Sequence, residues 1–153
     1  MKMTLFCLDF SGSGLSDGEF ISLGHYERED LKVVIDYLRN SGKVSTIGLW
    51  GRSMGAVTAL MHADRDPSIA GLVLDSPFAS LSRLSKELFR KYSKRIPTFL
   101  FSLAFALVKS TIKKKARFDI SKIEPVKHVG ASFVPALFIC ARDDDFIDPS
   151  HSK

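Results

Sequence analysis

The sequence predicts an α/β domain in which a mainly parallel sheet of about four strands is flanked by helices. Four short apolar runs end at turn residues, and helical sequence separates each run from the next, which is typical of parallel strands joined by crossover helices. A chain of 153 residues suits one domain with a core of its own and is too short for two. We therefore treat residues 1–153 as a single domain.

The predicted strands are residues 4–9, 45–50, 69–75 and 135–140. Residues 26–40 are predicted to form a helix, because apolar residues such as Leu31 and Ile35 recur at helical spacing and acidic residues come before Arg39. Small and apolar residues over 55–63 indicate a second, closely packed helix. The turn-rich stretch SGSGLSDGEF separates the first strand from the first helix.

Nearly all of the positive charge lies in one segment before the last strand. Residues 83–117 contain eleven Lys or Arg and one acid, Glu87, whereas the remainder carries eleven bases and sixteen acids. The centre of this segment, IPTFLFSLAFALV, is an apolar run of thirteen residues, below the roughly 20 needed to cross a bilayer. We predict a helical insertion packed on the sheet with solvated lysines. The alternatives are a lid formed by residues 80–117 and contact of residues 83–117 with a membrane surface.

Two cysteines and the first ten residues bear on the compartment of the protein. Cys7 and Cys140 lie in apolar runs, which predicts small buried side chains rather than a metal set or a disulfide scaffold. Residues 1–10 are interrupted by Asp9 too early for a signal peptide. The expected location is the cytoplasm, with peripheral membrane contact as an alternative.

Ser53 is the candidate nucleophile. It lies in GRSMG, between a predicted strand and a predicted helix. A strand that turns sharply into a helix requires glycines where side chains would collide, and the turn presents the serine hydroxyl at the sheet edge. The backbone N–H of Met54, at the start of the helix, would be free to bind an oxyanion. The alternative is that Ser53 only caps the helix.

A carboxylate that orients a histidine is the next requirement of this chemistry. Asp143, Asp144 and Asp145 follow the last predicted strand, at the sheet edge that carries Ser53 if the strands are parallel. Spacing does not choose among the three. Asp75, at the end of the third predicted strand, is a rival, although capping of the turn before Pro77 is its simpler role.

No histidine is placed to act as the general base. His25 precedes the first helix, His62 lies late in the helix after Ser53, and His128 lies near Gly130. His151 follows the aspartates by only a few residues. A base must come within about 3 Å of the serine oxygen, and none of these positions predicts that approach.

The chain resembles the α/β-hydrolase superfamily, in the plant and protist branch described as serine-peptidase-like or prolyl-oligopeptidase-like. The resemblance is carried by LDFSGSGLSDGEFISLG, DLKVVIDYLR, IGLWGRSMGAVTAL, PSIAGLVLDSPFASL, KARFDI and PALFICARDDDFIDPSHS. It implies that Ser53 is the nucleophile, the N–H of Met54 an oxyanion donor, and Asp144 the acid. It also implies that His151 is not the base and that the catalytic histidine lies beyond Lys153.

The resemblance further implies that the chain is a truncated, internal part of the domain. Members of the superfamily have about three strands before the one at Leu5, a second oxyanion donor after the third, and a further strand and helix at the end. The third strand would separate the strands at Leu5 and Ile47. We therefore predict that these two strands either pair directly or leave unsatisfied backbone groups, which would weaken the isolated chain.

The leading functional hypothesis is a serine hydrolase that cleaves an ester, thioester or amide through an acyl-enzyme on Ser53, poorly active in this chain. The substrate would be a small-molecule or peptide acyl compound, and the chemistry requires no metal or organic cofactor. The alternative is a non-catalytic module that binds a protein partner or membrane through the basic segment. Asp17 at the third-glycine position argues against dinucleotide binding, and no nucleic-acid motif supports a nucleic-acid partner.

Overall fold

A computed structural model describes residues 3–93 and 97–153 and shows an α/β fold with a parallel sheet flanked by helices, as predicted. Its three strands are β1 (Gly48–Arg52), β2 (Gly71–Asp75) and β3 (Ala136–Ile139), in the spatial order β1-β2-β3. Both pairings are parallel, and Arg52, Asp75 and Ile139 are aligned at the carboxyl ends of the three strands. The loops that follow the strands therefore meet at one edge of the sheet.

Five helices accompany these strands in the described residues: α1 (Glu27–Asn40), α2 (Met54–Ala63), α3 (Leu81–Tyr92), α4 (Thr98–Ala116) and α5 (Val126–Val129). Single 3₁₀ turns cover Ile120–Lys122 and Pro149–His151. Helix α1 has acidic residues in its first turn and Arg39 in its last turn, as the helix dipole favours. The basic insertion is helical, as predicted, and consists of α3 and α4; residues 94–96 lie outside the described residues. The predicted packing on the sheet is wrong, because in the described residues α3 and α4 contact each other and the turn Ile120–Lys122 and contact no strand.

The core consists of two clusters that meet at α2. Leu31 and Ile35 of α1 and the alanines of α2 cover Leu72 and Leu74 of β2. The second cluster joins Val57 and Met61 of α2 to Leu84 of α3 and to the loops around Ile123 and Ile147. Because α2 serves both clusters, all its residues from Ala56 to Ala63 are buried. Helix α2 thus holds its first turn, and with it the end of β1, in a fixed position.

The predicted strand over residues 4–9 is wrong, since the structure assigns no strand to residues 3–10. A strand is defined by backbone hydrogen bonds to a neighbour, and β1 pairs only with β2. Of the two outcomes expected for this segment, direct pairing with the strand at Ile47 does not occur in the described chain. Leu5 remains 80% exposed, so the apolar run has neither a strand partner nor a cover.

A further expectation fails for the same reason. Cys7 and Cys140 are exposed, not buried, because their apolar runs lie outside the two clusters. One face of the sheet carries Trp50, Val73 and Leu137 in register, and Trp50 and Leu137 are largely exposed. Apolar sequence predicts burial only where another element covers the side chain.

None of the helices in the described part of the chain combines the length and apolar character that crossing a membrane requires.

Candidate active site

Ser53 lies at a sharp turn between β1 and α2. Its backbone has φ +50° and ψ −114°, a region that non-glycine residues rarely adopt. The N–H of Ser53 donates to the carbonyl of Asp75 at 2.8 Å, and the carbonyl of Ser53 accepts from the N–H of Val57 at 3.0 Å. These bonds attach the turn to β2 on one side and to α2 on the other. Backbone strain of this kind costs on the order of 1–3 kcal/mol and persists only where surrounding contacts hold it.

The helix-cap alternative for Ser53 is not seen in the structure. The Ser53 side chain makes no capping hydrogen bond to α2, although it occupies the N-cap position. Helix geometry leaves the N–H of Met54, the first residue of α2, without an intrahelical acceptor. The turn therefore presents a half-buried hydroxyl beside an unpaired N–H at the positive end of a helix.

Ser76 occupies the position after β2 that Ser53 occupies after β1. It also has a positive φ, +49°, and its N–H donates to the carbonyl of Ile139 at 2.8 Å. Its hydroxyl donates to a carboxylate oxygen of Asp75 at 3.0 Å, and Asp75 lies 3.5 Å from Arg52. Ser76 was not among the residues predicted for the site, although it directly follows an apolar run, as Ser53 does.

The structure separates the three aspartates that follow β3. Asp145 forms an ion pair with Lys91, and its side chain is otherwise exposed to solvent. The side chain of Asp143 is exposed. Asp144 is half-buried and accepts hydrogen bonds from the N–H groups of Phe146 and Ile147, both at 2.9 Å. These bonds, that of Ile147 first, lower the pKa of Asp144, and the Arg52 charge adds to the effect. Asp144 is thus an ionised carboxylate beside Ser76 at the sheet edge.

A cleft of about 340 Å³ lies between α3 and the loop after β3. Its walls include Leu88 and Lys91 of α3 and Asp144 and Phe146 of the loop. Ser53 is not one of its lining residues. The cleft therefore reaches the candidate acid and not the candidate nucleophile.

None of the four histidines is hydrogen-bonded to Ser53 in the part of the chain that the structure describes. His25 stacks on Phe118 with ring centroids 5.3 Å apart, and burial lowers its pKa. His128 contacts Asp64. His62 is buried beside Asp66, and burial lowers its pKa as well. It lies nine residues after Ser53, about 13 Å along α2 at 1.5 Å per residue.

His151 has both ring nitrogens occupied. Its Nδ1 accepts from the N–H of Ala79 at 3.0 Å, so its Nε2–H donates to Glu87 at 2.7 Å. The side chain is fully buried. His151 therefore joins the end of the chain to α3, which agrees with the expectation that it is not the base.

The described residues also contain no group of three or more His, Cys, Asp or Glu able to hold a metal ion.

We expect Asp144→Asn to reduce stability at neutral pH by no more than about 1 kcal/mol, because the carboxylate is half-exposed and its charge is screened. Since the folded-state pKa is lowered, the contribution of Asp144 exists above the unfolded-state pKa of about 3.9 and is lost as the pH falls through the folded value. Urea unfolding at several pH values should show the difference between variant and wild type shrinking as the pH falls through the folded-state pKa.

Asp143→Asn is the matched control for that prediction, because Asp143 is the adjacent aspartate and is exposed. It should leave the urea midpoint unchanged at every pH. A pH-independent loss in Asp144→Asn would contradict an electrostatic origin of the effect.

The parallel sheet, the strained serine turn and the carboxylate after the last strand are together typical of the α/β-hydrolase fold. The chain belongs to the family described as Hydrolase_4, serine aminopeptidase, S33, whose family model matches residues 2–125. The resemblance to the superfamily is thereby confirmed, whereas the plant and protist branch is not shown.

Two similar proteins come from prokaryotes. YqkD of Bacillus subtilis (strain 168), an uncharacterized protein, is 33% identical over 150 residues, which cover 95% of this chain and 47% of YqkD. The esterase Pf2001 of Pyrococcus furiosus, crystallised in space group P21, is 26% identical, with a TM-score of 0.69 over 94% of this chain and 51% of the esterase. A second crystal form is 24% identical with a TM-score of 0.68, covers 94% of this chain and 52% of the esterase, and shows the same fold. The chain spans about half the length of these relatives.

Proposed function

We propose that the protein is a serine hydrolase whose nucleophile is Ser53, with the N–H of Met54 as an oxyanion donor and Asp144 as the acid of the catalytic machinery. The observation that carries the proposal is the turn at Ser53. A strained φ, a hydroxyl that does not cap α2, and a helix N-terminus beside it are the geometry that a nucleophilic serine requires.

The reaction proposed is acyl transfer to Ser53. The Ser53 oxygen attacks the carbonyl carbon while a base takes the hydroxyl proton, and the oxyanion so formed accepts a hydrogen bond from Met54. Collapse expels the alcohol, thiol or amine with a proton, and water then releases the acid from Ser53. An ester is the first substrate class to test, since the structurally similar Pyrococcus protein is an esterase.

This chain should itself be a weak catalyst, because none of its four histidines is hydrogen-bonded to Ser53 among the described residues. Loss of the histidine in a serine hydrolase costs on the order of 10⁶-fold in rate. The same placement of the histidines favours the alternative function, a non-catalytic module.

The proposed assignment to the plant and protist branch rests on the sequence blocks that carry the resemblance.

Labelling with a fluorophosphonate distinguishes the two functions. We expect slow modification of Ser53 that accelerates when free imidazole is added, because imidazole in solution replaces the missing base and takes the proton as fluoride leaves. Mass spectrometry of the proteolysed chain locates the adduct. The Ser53→Ala variant should show no adduct, whereas Ser45→Ala, a change at an exposed serine, should label as wild type does.

Rapid labelling without imidazole would show that one of the four histidines does serve Ser53. Absence of any adduct at Ser53, with and without imidazole, in the chain and in a form lengthened to the span of its relatives, would contradict the hydrolase and leave the non-catalytic module.

A further inference from the structure

Helix α4 has one face packed on the protein and an opposite face that is bare. Phe105, Ile112 and Ala116 point into the second core cluster, and Phe101 stacks between Phe89 and Phe105. These residues recur at helical spacing and define the inner face. The outer face therefore consists of the residues between them.

The outer face is apolar in the first half of α4 and basic at its end. Phe99, Leu103 and Leu107 are 71%, 60% and 62% exposed. With Leu100, which is 41% exposed, they form a stripe about 12 Å long at 1.5 Å per residue. Leu100, Leu107 and Lys114 are seven residues apart, which is about two helical turns, so they lie on the same face of α4. The basic end of the helix therefore continues the apolar stripe.

Most of the Lys and Arg side chains around this stripe form no ion pair with the described residues. Three bases of the segment are paired, Arg83 with Glu87, Lys91 with Asp145, and Lys109 with Asp119. Six others are exposed and form no ion pair with the residues that the structure describes: Lys86, Arg90, Lys113, Lys114, Lys115 and Arg117. A partner for this surface must therefore supply both an apolar layer and negative charge next to it.

A lipid surface with anionic headgroups offers these two layers at adjacent depths. A helix lying in the plane of such a surface buries its apolar residues about 5–10 Å deep and keeps its lysines at the headgroups. Nucleic acid would match the charge and leave the stripe exposed to water. An acidic protein would match the charge only where its own surface is apolar as well.

We propose that α4 binds an anionic membrane surface, with Phe99, Leu103 and Leu107 inserted among the acyl chains and Lys113, Lys114 and Lys115 at the headgroups. This places the protein on the membrane as a peripheral protein and does not depend on catalysis by Ser53.

The test is co-sedimentation of the 153-residue chain with vesicles of phosphatidylcholine alone or with added phosphatidylserine. We expect at least tenfold tighter binding to the anionic vesicles, weakened by added salt. Joint replacement of Lys113, Lys114 and Lys115 by Ala should reduce that binding at least tenfold. Joint replacement of Lys43, Lys122 and Lys153 by Ala, an equal loss of charge at exposed sites outside the segment, should change it less than twofold.

The apolar stripe is tested in the same way. Leu103→Ser with Leu107→Ser should abolish binding to anionic vesicles, whereas Leu15→Ser with Val33→Ser, also at exposed positions, should not. Circular dichroism checks that each variant is folded. Insertion is tested with a tryptophan at position 99, Phe99→Trp in a Trp50→Phe background, which keeps the stripe apolar. Brominated lipid should quench the fluorescence of this tryptophan.

Equal binding to both vesicle types, or no binding to either, would overturn the proposal. Binding without quenching of the reporter, or equal loss in the control lysine variant, would also overturn it.

Discussion

Gly51→Ala should destabilise the protein by about 4 kcal/mol or more, or prevent folding. A Cβ atom at Gly51 would lie 2.2 Å from the carbonyl carbon of Gly55, 2.3 Å from its oxygen and 2.5 Å from the nitrogen of Ala56. All three are backbone atoms of the first turn of α2, and α2 is held by both core clusters. The clash is therefore relieved only by moving α2 away from β1 or by opening the turn at Ser53.

Gly55→Ala is the matched control, because it makes the same change at the other glycine of GRSMG. A Cβ at Gly55 meets no atom within 4 Å, and its φ is not positive. Alanine is favoured over glycine in a helix by up to about 1 kcal/mol, so this variant should be as stable as wild type or slightly more so. Urea unfolding followed by circular dichroism measures both. Equal stability of the two variants would refute the steric account of Gly51.

Glu27→Gln should cost about 3 kcal/mol of folding stability, although it replaces one atom and keeps the shape. Glu27 is 1% exposed and accepts three hydrogen bonds, from the N–H of Ser22 at 2.6 Å, the hydroxyl of Ser22 at 2.5 Å and the N–H of Gly24 at 2.8 Å. These bonds fold the loop before α1 back onto the helix. Two of the three donors are backbone N–H groups that contact different carboxylate oxygens.

Glutamine cannot satisfy that set of donors in either orientation of its amide. Whichever oxygen becomes NH₂, one backbone N–H then faces another donor in a buried site, and such an unpaired group is costly. Glu29→Gln is the control, since Glu29 is half-exposed and pairs with Arg65 at the surface. It should cost less than about 1 kcal/mol. The urea midpoint measures both changes, and similar losses for the two would show that the Glu27 contacts contribute little.

Much of the fold could be predicted because its elements depend on local pattern. Leu31 and Ile35 at helical spacing predicted α1 to within one residue, and the glycines of GRSMG predicted a strand, a sharp turn and a helix. In each case the side chains that set the geometry lie within a few residues of one another. Periodicity and steric crowding act at that range, so the chain order alone carries the information.

The candidate site was predictable only in part. The parallel strands implied that Ser53 and the aspartates after the last strand share an edge, but three adjacent aspartates have the same chain position to within a residue. Their separation depends on Lys91 of α3, which bonds Asp145, and on the backbone of Phe146 and Ile147, which bonds Asp144. The position of Ser76 could not be predicted either, because it depends on a backbone hydrogen bond to Ile139 of the neighbouring strand.

By itself, the sequence determined the α/β class, the glycine-serine turn at Ser53 and the basic, apolar insertion, because these depend on spacing and charge along the chain. Only the tertiary structure decided that residues 4–9 are not a strand, that Cys7 and Cys140 are exposed, and that the outer face of α4 is bare. Burial and strand pairing are relations between distant segments, so an apolar run is buried only where another element of the fold lies against it.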